Sequence, residues 1–256
     1  MTNKNNGKIL LCEDLFVLSS NYRGIYDNYL IKAEADKLWE ETKDLKKVDS
    51  FCEKMLLKQE SILLLKKSNI NKRFINKKFD NFKTFDKITK SAKEIAEEYA
   101  ENIYAHLAFG TNLVIEGLGK VGTGKTHLAC AIAHKAIEQG VQTKFINVVS
   151  MISDLKERMN IPKYIRTYTD TSLLIIDDIG KEKNSEWVCQ TVYQIINIRY
   201  EKQKPTIITT ENSMKTMTSH YKEKGTAIQS RIAENYILIT LDGKDYRQNK
   251  DKIETN

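Results

Sequence analysis

The sequence has little that would break a chain or staple it. Pro162 and Pro205 are its only prolines in 256 residues, and glycine occurs 11 times. Neither type falls between Ile25 and Lys90, so that long stretch carries no strong turn signal. No apolar run approaches the roughly 18–20 residues of a membrane span, which argues against a spanning helix and a membrane partner. The opening residues, MTNKNNGKILLCEDLF, hold too short an apolar patch for a secretory signal. The four cysteines, Cys12, Cys52, Cys130 and Cys189, form no C-x-x-C pair, and no histidine lies near the first two. This spacing argues against a zinc ribbon and suits free thiols in a reducing cytoplasm.

Acidic residues are also in deficit, and locally so. The net charge is +7. Between Ser61 and Lys90 nine basic residues (Lys66, Lys67, Lys72, Arg73, Lys77, Lys78, Lys83, Lys87 and Lys90) face only Asp80 and Asp86, which accounts for the whole excess. Two readings stand. The stretch is a solvated basic linker, or it contacts nucleic acid by releasing counterions from phosphates. Phe74, Phe79, Phe82 and Phe85 interleave with the charges, and such aromatics either stack bases or fasten the segment to a core. Fastening is the better reading for Phe79 and Phe82.

What is present is strong periodicity. Residues 1–65 read as helical, with Leu30, Ile31, Leu38, Trp39, Leu45, Phe51, Met55, Leu56 and Ile62 to Leu65 recurring at spacings near three and four. The segment offers apolar stripes and no catalytic cluster, which suits partner binding or capping of a larger domain. Residues 66–78 form the basic linker, and residues 79–256 hold the core. In that core a helix is predicted over Ile88 to Leu107, and strands over Asn112 to Glu116, Thr143 to Val149, Ser172 to Asp177, Thr206 to Thr210 and Tyr236 to Thr240. Helices are predicted between them, including Met151 to Met159, with Pro162 following, and Glu186 to Tyr200. Alternating strands and helices imply an α/β fold, a five-stranded parallel sheet flanked by helices.

The core is organised around GKVGTGKT, Gly119 to Thr126, which fits G-x-x-x-x-G-K-[ST]. An apolar strand precedes it and a helical run follows, the context a phosphate loop requires. Glycines at 119, 122 and 124 let several N–H groups converge on one anion, and the following helix adds its positive dipole end. The candidate nucleotide contacts are Gly119, Lys120, Val121, Gly122, Thr123, Gly124, Lys125, Thr126 and the adjoining His127. Lys125 reaches the outer phosphates and Thr126 ligates Mg²⁺, while His127 is given no chemistry of its own.

Four apolar residues and then two acids, Leu173 to Asp178, read as a strand buried on both faces. It delivers Asp177 to Mg²⁺ and Asp178 to the attacking water, some fifty residues after the loop. At the end of the fourth strand and just beyond it stand Thr209, Thr210, Glu211 and Asn212, where a polar residue can hold the water against the γ-phosphate. Asn212 either holds the water against the γ-phosphate or caps the next helix, a task Ser213 would do as well. Arg231, Arg247 and, more weakly, Arg199 are candidates to neutralise charge on a transferring phosphate.

Taken together, GKVGTGKTHLA, LLIIDDIG, NIRYEKQKPTIITT and SRIAE followed by DGKDYR resemble the DnaC/DnaI-type helicase loaders, AAA+ ATPases whose core the IstB transposition helpers share. The resemblance covers roughly residues 79–248, and NKKFDNFKTF resembles the family's lead-in to the nucleotide site. It implies a P-loop NTPase of AAA+ type that binds ATP and Mg²⁺. Lys125 and Thr126 form the Walker A pair, and Asp177 and Asp178 the Walker B pair. Arg231 matches an arginine finger acting on a neighbour's nucleotide, and Arg247 matches sensor 2. Glu211 stands where the family usually has asparagine, with Asn212 one residue later. Only nine residues follow Arg247, too few for a full helical lid. The segment from Met151 to Thr171 corresponds to a helical element facing single-stranded DNA.

The resemblance implies an ATPase of slow, partner- or DNA-regulated turnover that assembles as a homo-oligomer. Its implied partners are a replicative hexameric DNA helicase and single-stranded DNA, in phage or bacterial replication. Two alternatives are a transposition helper binding duplex DNA and a nucleotide-bound adaptor with little turnover.

Overall fold

A computed structural model describes residues 25–118, 120–243 and 245–246. Gly119 and Arg247, two of the candidate site residues, lie outside the described residues, as does Cys12. The chain divides into two compact units, Met1–Ile62 and Leu63–Asn256.

The described part of the first unit is built from helix α1 (Ile25–Thr42) and the greater part of α2 (Leu45–Lys67). Lys43, with a φ of 53°, turns the chain between them, and the Asp44 carboxylate accepts from Lys46 N–H (3.0 Å) at the start of α2. Ile31, Ala35, Val48 and Cys52 are buried between the helices, with Leu38, Trp39, Phe51 and Met55 around them. Leu57 and Ile62 stay exposed.

The second unit is a sheet covered on both faces. Its elements are a 3₁₀ turn (Phe79–Asn81), α3 (Lys87–Glu101), α4 (Ile103–Phe109), β1 (Asn112–Glu116), α5 (Lys125–Glu138), β2 (Thr143–Asn147), α6 (Val148–Lys156), α7 (Ile161–Thr169), β3 (Leu173–Asp177), α8 (Glu186–Glu201), β4 (Thr206–Thr210), α9 (Met214–Ser219), α10 (Glu223–Ala233) and β5 (Tyr236–Thr240). The strands pair in the order β2-β3-β4-β1-β5, all parallel. Side chains alternate along each strand. Leu113, Ile115, Leu173, Ile175 and Ile207 point to one face, under Ala92, Ala96 and Tyr99 of α3 and Leu128 and Ile132 of α5. Val114, Leu174, Ile176 and Ile208 point to the other, under α6 to α10. β1, β3 and β4 are buried almost throughout, which is why they read as continuous apolar or β-branched runs.

Three details differ from the sequence-based expectation. The single helix predicted over Ile88 to Leu107 breaks at Asn102 into α3 and α4. Pro162 opens α7 rather than trailing the preceding helix. Proline is tolerated in a first turn because that N–H has no intrahelical partner, and Asn160 caps this one by accepting from Lys163 N–H (3.2 Å). The stretch expected as a linker packs into the second unit. Ile70 is buried there with Phe74 and Ile75 against it, the Phe74 ring lies 5.9 Å from that of Phe145, and Phe145 N–H donates to Ser68 O (2.7 Å). Lys66, Lys67, Lys72, Arg73 and Lys78 remain exposed.

Candidate nucleotide-binding site

The phosphate loop leaves β1 at Glu116 and runs into α5 at Lys125. Two glycines are dictated by space and backbone together. At Gly124, with a φ of 100°, a Cβ would lie 2.8 Å from the Phe82 ring. At Gly122, with a φ of 70°, it would lie 1.7 Å from an Asp245 carboxylate oxygen. The loop is therefore walled on one side by the lead-in segment and on the other by the segment after β5. Lys120 pairs with Asp242, Tyr246 N–H donates to Gly122 O (3.2 Å), and the Tyr246 ring stacks on Phe85 at 4.3 Å. His127 faces the lead-in as well. Its Nε2 lies 2.9 Å from both Lys78 O and Asn81 Oδ1, and Phe82 meets its ring edge-on. Two acceptors at one nitrogen make that nitrogen the donor, so His127 packs rather than reacts. Val121 is exposed.

Lys125 is buried, and its Nζ donates to Lys120 O (2.9 Å) and Thr123 Oγ1 (3.4 Å). Burial lowers its pKa, while the carboxylates of Glu211, Asp178 and Asp177 act the other way. Thr126 Oγ1 donates to Asp177 Oδ1 (2.9 Å), and Thr209 Oγ1 donates to the same oxygen (2.7 Å). Burial, and next the charge of Asp178, push the Asp177 carboxyl up to about 6. The half-buried Thr126 hydroxyl and the buried Asp177 carboxylate in contact are hard oxygen donors of the sort Mg²⁺ takes, and a carboxyl disfavoured as an anion is one that a cation would stabilise. The residues present fit the metal.

Asp178 has a φ of 59°, and its N–H donates to Thr209 Oγ1 (2.9 Å). Its carboxylate lies 3.3 Å from Lys181 Nζ, which lies 2.5 Å from Glu211 Oε1. Glu116, at the end of β1, ties the start of α9 to the end of β5, accepting from Met214 N–H (3.0 Å) and Thr240 Oγ1 (3.1 Å). Sequence reading gives no role to Lys181 or Glu116, and it marks Thr209 only as one of four polar residues at the end of the fourth strand. A polar residue at the carboxyl end of a parallel strand is the signal that could have found Thr209 and Glu116. Asn212 is exposed just beyond β4, and its N–H donates to Thr210 Oγ1 (3.2 Å). Ser213 is the residue that caps α9.

The structure thus gathers Lys125, Thr126, Asp177 and Asp178 at one end of the sheet. It does not bring Arg231 there. Arg231 donates to Asn197 Oδ1 (2.6 Å), Ala227 O (3.0 Å) and Tyr193 OH (3.2 Å). It lines a cavity of about 370 Å³ with Asn112 and Thr206, which begin β1 and β4. A five-residue strand spans roughly 16 Å, so Arg231 cannot reach the loop of its own chain. Arg199 is corrected outright. It is fully buried and donates to Tyr168 O, Thr171 O, Ser172 O, Pro205 O and Thr206 Oγ1, tying strand starts together. It has no access to any phosphate.

A phosphate loop opening a helix, with an acid pair at the end of a parallel strand beside it, defines a P-loop nucleotide-binding protein. The family described as IstB-like ATP binding protein matches residues 30–254, and the chain belongs to it. The replicative helicase loader DnaC of Buchnera aphidicola subsp. Acyrthosiphon pisum is 29% identical over 195 residues, 72% of this chain and 75% of that protein. A putative ATP-binding protein of insertion sequence IS232 from Bacillus thuringiensis subsp. berliner is 31% identical over 135 residues, 51% of this chain and 54% of that protein. A crystal structure of the DnaC helicase loader matches with a TM-score of 0.58 at 25% identity, over 67% of this chain and 100% of that one. AMPPCP-bound DnaA from Aquifex aeolicus shares the fold, with a TM-score of 0.53 at 24% identity over 73% of this chain and 56% of that one. The chain is an ATP-binding AAA+ protein of the DnaC type, from a group of loaders and helper ATPases. No described helix is long and apolar enough to cross a membrane.

Proposed function

We propose that this chain is an ATP-dependent loader of a replicative DNA helicase, acting in the cytoplasm in phage or bacterial replication. The observation that supports it most is the reach of the similarity. A loader relative aligns over 72% of the chain, an insertion-sequence relative over 51%.

In this reading the loop amides and Lys125 hold the phosphates, and Thr126 and Asp177 hold Mg²⁺, which neutralises charge on the outer phosphates. Asp178 orients the attacking water or takes its proton. Asn212 supports that water from the turn after β4, and Arg247 contacts the γ-phosphate from beyond β5. Arg231, remote from its own loop, serves the nucleotide of a neighbouring copy, so turnover requires a homo-oligomer and is slow without partners. Residues 1–65 contact the helicase through their apolar stripes. The exposed Lys72, Arg73 and Lys78, with Lys77, contact single-stranded DNA beside a core over residues 79–256.

Capture of purified replicative helicase by the full chain, together with a comparison of single-stranded and duplex DNA binding, tests this. Helicase capture and single-strand preference are expected. The insertion-sequence relative at 31% identity favours a second reading, a transposition helper. Duplex preference without helicase capture would establish that one instead.

A further inference from the structure

The site holds one ion-pair arrangement that the assigned roles leave unused. Between Asp178 and Lys181 the chain makes a tight turn, with Asp178 and Gly180 both left-handed (φ 59° and 93°) and Lys181 N–H donating to Asp178 O (3.3 Å). The turn folds Lys181 back over the residue three before it. Its ammonium then lies between two carboxylates, Asp178 Oδ2 at 3.3 Å and Glu211 Oε1 at 2.5 Å. Glu211 comes from the other side, directly after β4.

The backbone of Asp178 is pinned from behind. Asp178 N–H donates to Thr209 Oγ1 (2.9 Å), and Ile179 N–H donates to Thr209 O (2.9 Å). What freedom the carboxylate keeps is rotation of its own side chain, and Lys181 is the cation that takes it up. A carboxylate held by an ammonium has one oxygen engaged and its orientation fixed, and is less free to turn toward a water.

We propose that Lys181, whose ammonium Glu211 shares, is a positioning residue that holds Asp178 in an ion pair and keeps basal ATP hydrolysis slow. The proposal rests on the reading of Asp178 as the residue that acts on the attacking water. Glu211 shares the ammonium and so limits how fully Lys181 engages Asp178. All three side chains are partly exposed, at 38% for Lys181, 25% for Asp178 and 24% for Glu211. Pairs of this exposure are weak, so the effect on rate is a modest one of about two- to fivefold.

The test is steady-state ATP hydrolysis by the full chain, with nucleotide affinity measured separately by titration with a fluorescent ATP analogue. Lys181→Gln and Lys181→Met should each raise kcat about two- to fivefold with KM and affinity unchanged. Glu211→Gln, which leaves Asp178 as the only carboxylate at Lys181, should lower kcat. The double variant should behave as Lys181→Gln alone, because Glu211 acts through Lys181. A merely structural pair would instead shift the melting temperature and leave the sign pattern in kcat absent, which overturns the proposal. Lower kcat or weaker ATP binding in Lys181→Gln also overturns it, by making Lys181 a phosphate contact. Full activity in Asp178→Asn would refute the underlying role of Asp178 itself and the proposal with it, and is distinguishable because it does not involve Lys181.

Discussion

Thr209→Val is a near-isosteric change at a fully buried position that removes two hydrogen bonds from the acid pair. In the native chain the Thr209 hydroxyl donates to Asp177 Oδ1 at 2.7 Å and accepts from Asp178 N–H at 2.9 Å. Valine does neither. One buried N–H loses its acceptor, and a carboxylate already disfavoured by burial loses one of its two hydroxyl donors, keeping only Thr126. A stranded buried polar group costs about 1–3 kcal/mol, and because Asp177 keeps its Thr126 donor and is only partly stranded, the two together cost about 2–4 kcal/mol. For a unit of this size that lowers the thermal midpoint by about 5–15 °C. Function should suffer more specifically. Removing a residue that orients a metal ligand typically costs about 10–100-fold in metal affinity or activity. The Mg²⁺ concentration for half-maximal hydrolysis should therefore rise by at least about tenfold, while Thr209→Ser, which keeps the hydroxyl, stays close to the native protein. The assay is a Mg²⁺ titration of ATP hydrolysis beside a thermal melt. A lowered midpoint with unchanged Mg²⁺ dependence would refute the argument, because it would mean that Asp177 does not hold the metal.

Other outcomes are equally definite. Arg231→Ala and Asp178→Asn should each hydrolyse ATP poorly, and mixing them should restore turnover, because each supplies what the other lacks at a shared interface. Arginine fingers are worth about 10³–10⁵ in rate, so no recovery in a proven mixed assembly would place Arg231 outside catalysis. Arg199→Met should destabilise the fold by about 3–5 kcal/mol by stranding its five acceptors, as read from denaturant unfolding. A native midpoint in that variant would contradict its structural role. His134 and His106 both have pKa values lowered by burial, and His134 Nε2 is buried without a partner. The unfolded chain binds those protons first, so their contribution is whole above about pH 6.5 and is lost as pH falls below it. The thermal midpoint should drop between pH 6.5 and 5, and less steeply in His134→Gln; a flat profile would contradict this.

The core was largely legible in the sequence, for a physical reason. β1, β4 and β5 stand at the residues where they were predicted, and β2 and β3 within two. For β1, β3 and β4 the reason is that doubly buried parallel strands must be continuous apolar or β-branched runs. The edge strands β2 and β5 are partly exposed, but are still short runs rich in aromatic and β-branched residues. The phosphate loop and acid pair were legible for a related reason. Their spacing is set by the element lengths of the fold, and they meet through Thr126 and Asp177 at 2.9 Å. What the sequence hid depends on contacts between distant residues. Nothing local in Arg199 distinguishes a buried clamp from a surface charge. Local pattern did not mark Asp242 and Asp245 as lying against the loop, nor Phe82 as filling the space over Gly124. The break at Asn102 was missed because α3 and α4 share one apolar periodicity across it.

The central claim is that ATP at this loop drives helicase loading. The direct measurement is the rate at which purified replicative helicase is placed on closed circular single-stranded DNA, with the native chain and with Lys125→Ala. The account predicts ATP-dependent loading by the native chain and loss of both ATP binding and loading in Lys125→Ala, whose fold and melting temperature stay close to native. Loading that proceeds at the native rate with Lys125→Ala, or a native chain that binds ATP and leaves the helicase unloaded, would contradict it.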